Sequence, residues 1–393
     1  MLLPYREITE CGIGAESDLL TVFALPQLPL TEAFGPYEPR FPAYDQELLI
    51  SMRTGHVQLR YQVDPAALYS LDSYGFRSGN VSKSSKELVL LQFFISSCLQ
   101  GRTARHVLEI GGNDLTFVKL MLPSARTYAA CDPLLVLDDG LEIDGISIIG
   151  TMIEDAIRSD RFQQPDLLIA RHTLEHIANP RKTLLELLEV SAEDCLFVFE
   201  VPSLEHLVEA QRFDAVFHQH YHYFDMDSVR RLIWEVGGEY VGHQYNFQGS
   251  NGGSLMFAFR RGQRSTLPPS VDIAAKVRWL NERISLFTSQ MEIAGTLLDQ
   301  LPGPVFGFGA GHMLATLDYH LGQRLDRLVC VLDDDPNKDG FEYRNVNVAV
   351  RATPVFSPPE QSSYLITSME NVRSIYQRIQ SLNPRRILVP QIA

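Results

Sequence analysis

His106-Val-Leu-Glu-Ile-Gly-Gly-Asn-Asp114 is the stretch on which the reading of this chain turns. An apolar run ends in an acidic residue and a glycine pair, and a helical pattern follows. Gly111 and Gly112 let the backbone come close to a ligand, because no Cβ stands in the way. The next apolar run, residues 127–131, ends at Asp132. A carboxylate about 20 residues beyond a glycine turn suits hydrogen bonds from ribose hydroxyls. The G-x-G-x-x-G fingerprint of a pyrophosphate cradle is missing. S-adenosylmethionine has no phosphate and carries a positive sulfonium, so a polar, acidic loop suits it better. The alternative is a plain tight turn in an α/β sheet.

Outward from this stretch, residues 106–110, 127–131, 167–170 and 195–201 are short apolar runs separated by helical patterns. That alternation predicts a parallel sheet with helices on both faces. Residues 82–100 predict a helix leading into it, with Leu88, Leu91, Phe94, Ile95 and Cys98 at helical spacing. Residues 255–259 resemble a late strand of the same sheet. Residues 1–84 are rich in Pro and Tyr, with strand-like runs at 19–25 and 57–63. Pro26, Pro29, Pro36, Pro39 and Pro42 are expected to break up what lies between. After a linker at Thr266-Leu-Pro-Pro269, residues 271–301 predict a long helix. Runs at 305–308 and 328–332 then predict a second, smaller α/β unit. The expected domains are 1–84, 85–265 and 266–393.

The 393 residues include 45% apolar and 21% charged residues, as in a globular protein. The net charge of -14 and the absence of a basic run argue against nucleic acid as a partner. The five cysteines are scattered and never spaced C-x-x-C, which argues against a disulfide framework. No signal peptide and no run of roughly 20 apolar residues is visible, so the expectation is a cytoplasmic protein without a membrane span. Oligomeric state is not readable.

Glu109-Ile-Gly-Gly-Asn-Asp114 resembles the first motif of class I methyltransferases. Thr151-Met-Ile-Glu154 and Arg171-His-Thr-Leu-Glu-His-Ile-Ala-Asn-Pro180 resemble that family's adenine-side loop and fourth-strand loop. The resemblance implies a Rossmann-like core that binds S-adenosylmethionine. It implies that Glu109 binds the cofactor, with Gly111, Gly112 and Asn113 at its methionine end. Asp132 falls on the ribose, Met152 and Glu154 at the adenine, and His172 near the sulfonium. Glu200-Val-Pro202, Phe213-Asp214, Phe217-His-Gln-His-Tyr-His-Tyr-Phe224 and the segment 249–255 then follow in one order. That order is similar to C-methyltransferases of nucleotide-linked keto-deoxysugars. These carry a small N-terminal zinc module and a C-terminal Rossmann-like α/β domain, so the likeness covers nearly the whole chain.

Methylating carbon needs a carbanion equivalent, which a neighbouring carbonyl supplies as an enolate once a base takes the α-proton. Histidine suits that base. The resemblance implies His220 for the role, with His176, His218 and Gln219 beside it. For the substrate it implies Phe76, Arg77 and Ser78 in Tyr74-Gly-Phe-Arg-Ser-Gly79, the adjoining Asn80, and Tyr223 and Asn251. The alternating His218, His220 and His222 would share one face on a strand; in a loop, one of them could point at substrate. A structural reading leaves them as fillers around Tyr221 and Tyr223. No acidic or Cys partner at close ligand spacing marks a metal site here.

The chain departs from the family pattern in several places. Phe76 and Phe217 stand where tyrosines are usual, Gln219 where a glutamate is, and Leu115 where a glycine is. A leucine is strained at positive φ, so the loop after Asp114 is expected to take a somewhat different path. The zinc positions hold Ile8, Cys11, Ser51 and Thr54, so the module is expected to fold without metal. Gly307-Phe-Gly-Ala-Gly311 followed by Asp333 has the form of a nucleotide turn, which the resemblance implies is a docking surface for the substrate. The alternatives are O- or N-methylation of another small metabolite, a nicotinamide oxidoreductase, and a scaffold without catalysis.

Overall fold

The computed structural model describes residues 4–64, 82–247, 253–262 and 270–391. Its centre is an eight-stranded sheet. The strand order is Gly238–Asn246, Ser254–Arg261, Leu196–Pro202, Leu167–Arg171, Ala104–Ile110, Ala125–Cys131, Ile146–Ile149 and Glu142–Ile143. The five strands from Leu196–Pro202 to Ile146–Ile149 are parallel. Ser254–Arg261 runs antiparallel to both its neighbours. Leu88, Leu91 and Ile95 of the helix Ser82–Leu99 close one face against Val107, Ile169 and Val198. On the other face, Leu108, Leu168 and Phe197 pack with the helices Pro180–Val190 and Met226–Glu235. Burial on both faces is why these strands read as continuous apolar runs.

From Ala104–Ile110 the chain steps outward through Ala125–Cys131 and Ile146–Ile149, then returns to the other side at Leu167–Arg171. Ligands of open parallel sheets bind at such a reversal, outside the carboxyl ends of the strands. The candidate site lies there.

A four-stranded antiparallel sheet precedes the core, in the order His222–Tyr223, Val57–Leu59, Ala43–Ser51 and Leu19–Pro29. Its first strand comes from the histidine-rich segment, so the N-terminal sheet and that segment are one construction. The strand Leu19–Pro29 runs through Pro26, which corrects the expectation of a break there. It lies at the sheet edge and shifts register between Leu25 and Leu28, and an edge bulge tolerates proline.

The 27-residue helix Ile273–Asp299 leads into a six-stranded sheet. Its order is Glu342–Tyr343, Val346–Ala352, Val331–Asp333, Val305–Phe308, Ser363–Ile366 and Arg386–Leu388. All its pairings are parallel except the Glu342–Tyr343 edge. One apolar cluster joins the three parts, with Leu28 and Leu48 beside Leu207, Phe213, Phe287 and Leu314. Phe34 bridges to Tyr343, and Arg344 pairs with Glu38. Among the described residues no helix is long and apolar enough to cross a membrane.

Candidate active site

A cavity of about 860 Å³ opens at the reversal of the central sheet. Ile110, Gly111 and Asn113 line it, and Asp132 stands at the end of the neighbouring strand. Gly111 has φ +80, and a Cβ there would collide with Thr173 Oγ1. A Cβ on Gly112 would lie 3.0 Å from that of Ala130, so this glycine serves close packing onto the sheet and does not line the cavity. Asp132 Oδ2 accepts from the Asn113 amide at 2.9 Å and Oδ1 from Leu134 at 2.8 Å. Burial raises its pKa, and those two amides pull it back. A carboxylate has about four acceptor positions, so capacity remains for two hydroxyls. Met152, Glu154 and His172 line the same lobe. Glu154 also accepts from Thr183 Oγ1 at 3.2 Å. The residues present fit an adenosyl cofactor.

Two expectations about this loop change. Glu109 does not reach the cavity. It is 2% exposed, accepts from the Tyr128 hydroxyl at 2.6 Å, and burial pushes its pKa up to about 7. Residues alternate faces along a strand, and Glu109 points into the sheet. Leu115, in turn, keeps the left-handed backbone expected of a glycine, at φ +60. Its side chain is buried with Phe117, Val118 and Met121, and that burial offsets a strain of about 1–2 kcal/mol.

The three alternating histidines point to three different places. His220 lines the cavity, with its ring 4.3 Å from that of Phe217 and 4.9 Å from that of His176. His218 is taken out of the site: it is 1% exposed against Tyr44, outside the cavity lining. His222 meets His56, with Nε2 of His56 3.0 Å from Nδ1 of His222. Of the two alternatives the loop holds, because only His222–Tyr223 is strand, paired to Val57–Gln58, and the residues before it are loop. The same pairing turns Tyr223 away from the substrate position. Its hydroxyl accepts from the Phe217 amide at 3.2 Å, and Tyr221 lines the cavity instead. Phe76, Arg77, Ser78, Asn80 and Asn251 lie outside the described residues.

His176 donates from Nδ1 to the carbonyl of Gln219 at 2.7 Å, because a carbonyl only accepts. Its Nε2 is therefore the unprotonated nitrogen when the ring is neutral. Burial, followed by the charges of His176, His172 and His312, holds His220 well below the usual histidine pKa. It stays neutral and able to accept a proton. His172, at φ +47, sits between Glu175 (3.5 Å) and Glu200 (4.0 Å). Burial lowers its pKa, but the Glu175 carboxylate at 3.5 Å and the charge of Glu200 outweigh burial and raise it. Glu175 is fully buried on the cavity wall, and neither oxygen has a hydrogen-bond partner. Glu175, His176 and His220 place one ligand atom each within 4.8 Å of one another, so these three could hold a metal ion. The sequence reading missed Glu175, although it adjoins His176 in the Leu-Glu-His run.

The far wall belongs to the C-terminal sheet. Gly309, Ala310, Gly311 and His312 line the cavity at that sheet's own reversal. Asp333 Oδ2 accepts from the Ala310 amide and from Lys338 Nζ, both at 2.9 Å. The carboxylate that would hold a dinucleotide ribose is thus bonded within the chain. Its Oδ1 also accepts from the Asp335 amide at 3.0 Å, so fewer acceptor positions remain on Asp333 than on Asp132. The zinc positions of the N-terminal part are also hydrogen-bonded. Cys11 Sγ lies 3.4 Å from Thr54 Oγ1, and Ser51 Oγ donates to Glu16 at 2.6 Å. Ile8 stands apart, its amide donating to the carbonyl of Arg60.

Residues 87–243 match the family model described as a methyltransferase domain. With the strand order and the glycine turn, this makes the central domain a class I, S-adenosylmethionine-dependent methyltransferase domain of Rossmann-like α/β fold. The chain is 25% identical over 246 residues to the C-methyltransferase NovU of Streptomyces niveus, covering 59% of this chain and 56% of that one. It thus spans just over half the length of this curated relative. Among solved structures, the N-methyltransferase NodS from Bradyrhizobium japonicum is similar at 16% identity and TM-score 0.36, covering 48% of this chain and 92% of that one. The plantazolicin methyltransferase BpumL is similar at 13% identity and TM-score 0.37, covering 51% of this chain and 92% of that one.

Proposed function

We propose that this protein is a C-methyltransferase acting through an enolate on a nucleotide-linked keto-deoxysugar. The observation that carries the reading is His220, a neutral imidazole on the wall of a cavity shared by the cofactor loop and the C-terminal docking turn. S-adenosylmethionine supplies an electrophilic methyl group on a sulfonium. His220 takes the proton from the carbon beside the carbonyl, and the C–H electron pair delocalises onto the carbonyl oxygen. The nucleophilic carbon so formed would take up the methyl group that bound S-adenosylmethionine supplies, leaving the bonding pair with the sulfur, and His220 returns its proton to solvent. Gly111, Asn113, Asp132, Met152, Glu154 and His172 hold the cofactor, with Asp132 on the ribose. The working domains are 1–84, 85–265 and 266–393, the first folding without zinc because hydrogen bonds join Cys11, Ser51 and Thr54, and Ile8 offers no ligand atom.

The test uses deuterated solvent and S-adenosylhomocysteine, so that no methyl is available. A nucleotide-linked 4-keto-deoxysugar is expected to exchange its α-proton only when enzyme is present. Methylation of any acceptor without such exchange would replace this reading with O- or N-methylation. Asp132→Ala is expected to weaken S-adenosylhomocysteine binding by about 1.5–3 kcal/mol, the range for hydrogen bonds to a charged group. Unchanged affinity by calorimetry would remove Asp132 from the ribose.

A further inference from the structure

In this chain Gln219 stands where the resemblance leads one to expect a carboxylate beside the base. The structure brings a carboxylate to the side chain of Gln219 from the other end of the chain. Gln219 Nε2 donates to Glu32 Oε2 at 3.3 Å, 187 residues away. Both side chains line the cavity. An amide against a carboxylate is oriented without ambiguity, since only its NH2 can donate there.

Glu32 is held in that position from two sides. Its backbone is left-handed, at φ +58, a conformation that suits glycine better than glutamate. The C-terminal sheet clamps the turn around it. Arg344 N donates to Ala33 O at 2.8 Å, Asn345 Nδ2 to Leu30 O at 2.6 Å, and Gly35 N to Glu342 O at 3.0 Å. A strained residue that presents its side chain to a cavity marks a position where function outweighs local preference.

From Gln219 the connection continues to the histidines. The backbone carbonyl of Gln219 accepts the His176 Nδ1 proton, which leaves Nε2 as the lone-pair nitrogen beside Glu175 and His220. Losing the bond from Gln219 to Glu32 would free the side chain of Gln219 and loosen the loop whose carbonyl fixes the His176 tautomer.

We propose that Glu32 is the positioning carboxylate of this active site, acting through Gln219 to set the tautomer of His176 and the packing of His220 against it. The role in proton transfer rests on the function proposed above; the tautomer does not. The carboxylate has moved from the histidine segment to the N-terminal part, so the site is complete only when the N-terminal turn and the C-terminal sheet are docked.

The experiment reads the two levels separately. In 15N-histidine-labelled full-length protein, His176 is expected to show the Nδ1–H form, and Glu32→Ala, which removes the acceptor, to shift it toward a mixture of tautomers. Exchange of the substrate α-proton is expected to fall about 10-fold in Glu32→Ala, less than loss of the base itself. Affinity for S-adenosylhomocysteine is expected to stay at the wild-type value. The double variant Glu32→Gln, Gln219→Glu exchanges donor and acceptor, and is expected to keep both the tautomer and the rate near wild type. A merely structural Glu32 would lower the melting temperature of Glu32→Ala and leave the tautomer unmoved. An unshifted His176 in Glu32→Ala, or a double variant no better than Glu32→Ala, overturns the proposal. If the wild type fails to exchange the α-proton while the tautomer responds as stated, the function falls and the positioning role of Glu32 stands.

Discussion

His220→Asn is expected to lower kcat by about 10²–10⁴-fold, the usual loss when a general base is removed. Asparagine keeps a polar side chain of similar reach but accepts no proton at accessible pH. The proposed cofactor residues Gly111, Asn113, Asp132 and Met152 do not include His220, so affinity for S-adenosylhomocysteine should stay nearly unchanged. Phe217 packs on the ring of His220, so the loop should keep its support. The same variant should stop washout of the substrate α-proton into deuterated solvent. Exchange at the wild-type rate would exclude His220 as the base and turn attention to His176, whose Nε2 faces the same space. The pH profile adds a check. The neutral imidazole is the active form, and burial with the neighbouring histidine charges depresses its pKa. The acidic limb of kcat/KM should therefore lie below pH 6.5. Gln219→Glu by itself sets a second carboxylate against Glu32, so a gain in rate from that single change would count against the pairing of Glu32 with Gln219.

The second large effect is on folding. His218, His222 and His320 are buried, and burial pushes each down to about 4. His56 lies beside His222 and is likewise held well below its usual value by burial and by the His222 and Lys276 charges. An unfolded chain protonates these rings near pH 6.5 and the folded chain does not, so the unfolded state binds more protons between about 4 and 6.5. Stability is fully present above pH 6.5 and is lost as the pH falls toward 4. Each of the three rings held at about 4 accounts for on the order of 3 kcal/mol across that window. Glu109, raised to about 7, and Asp318, raised to about 6, act in the opposite direction over part of the same range. They are fewer than the histidines, so the net slope remains positive. Denaturant unfolding at several pH values measures it. His222→Gln and His320→Gln should each reduce the slope by one proton. A slope unchanged in both variants would show that these rings are not buried neutral in solution.

The β–Gly–Gly–helix turn, the strands around it and the later α/β unit were legible because they are local. A strand buried on both faces must be apolar along its length, and a backbone that approaches a ligand needs glycine. The strands Ile146–Ile149, Gly238–Asn246 and Val346–Ala352 were not read, because their exposed positions interrupt the apolar run. Within the site, the sequence was enough to bring Asp132, His172, His176 and His220 to one cavity, since all four follow strand ends of one sheet or the loop beyond them.

Which way a side chain points was decided elsewhere. His218 and Tyr223 face inward because two residues of their segment pair with Val57–Gln58, some 160 positions earlier, and no local pattern carries that information. Glu109 looked like a ligand and is a buried partner of Tyr128. Leu115 looked unable to follow a glycine's path and does so, because the core pocket that takes its side chain compensates for the backbone strain. Glu32 carried no signal at all: its place beside Gln219 depends on a turn clamped by residues 342–345. The sequence by itself determined the central fold, its cofactor turn and the histidine at the reversal of the sheet, because short-range periodicity and backbone freedom dictate them. The tertiary structure alone decided which carboxylates and rings surround that histidine, because contacts between distant segments set side-chain direction and burial.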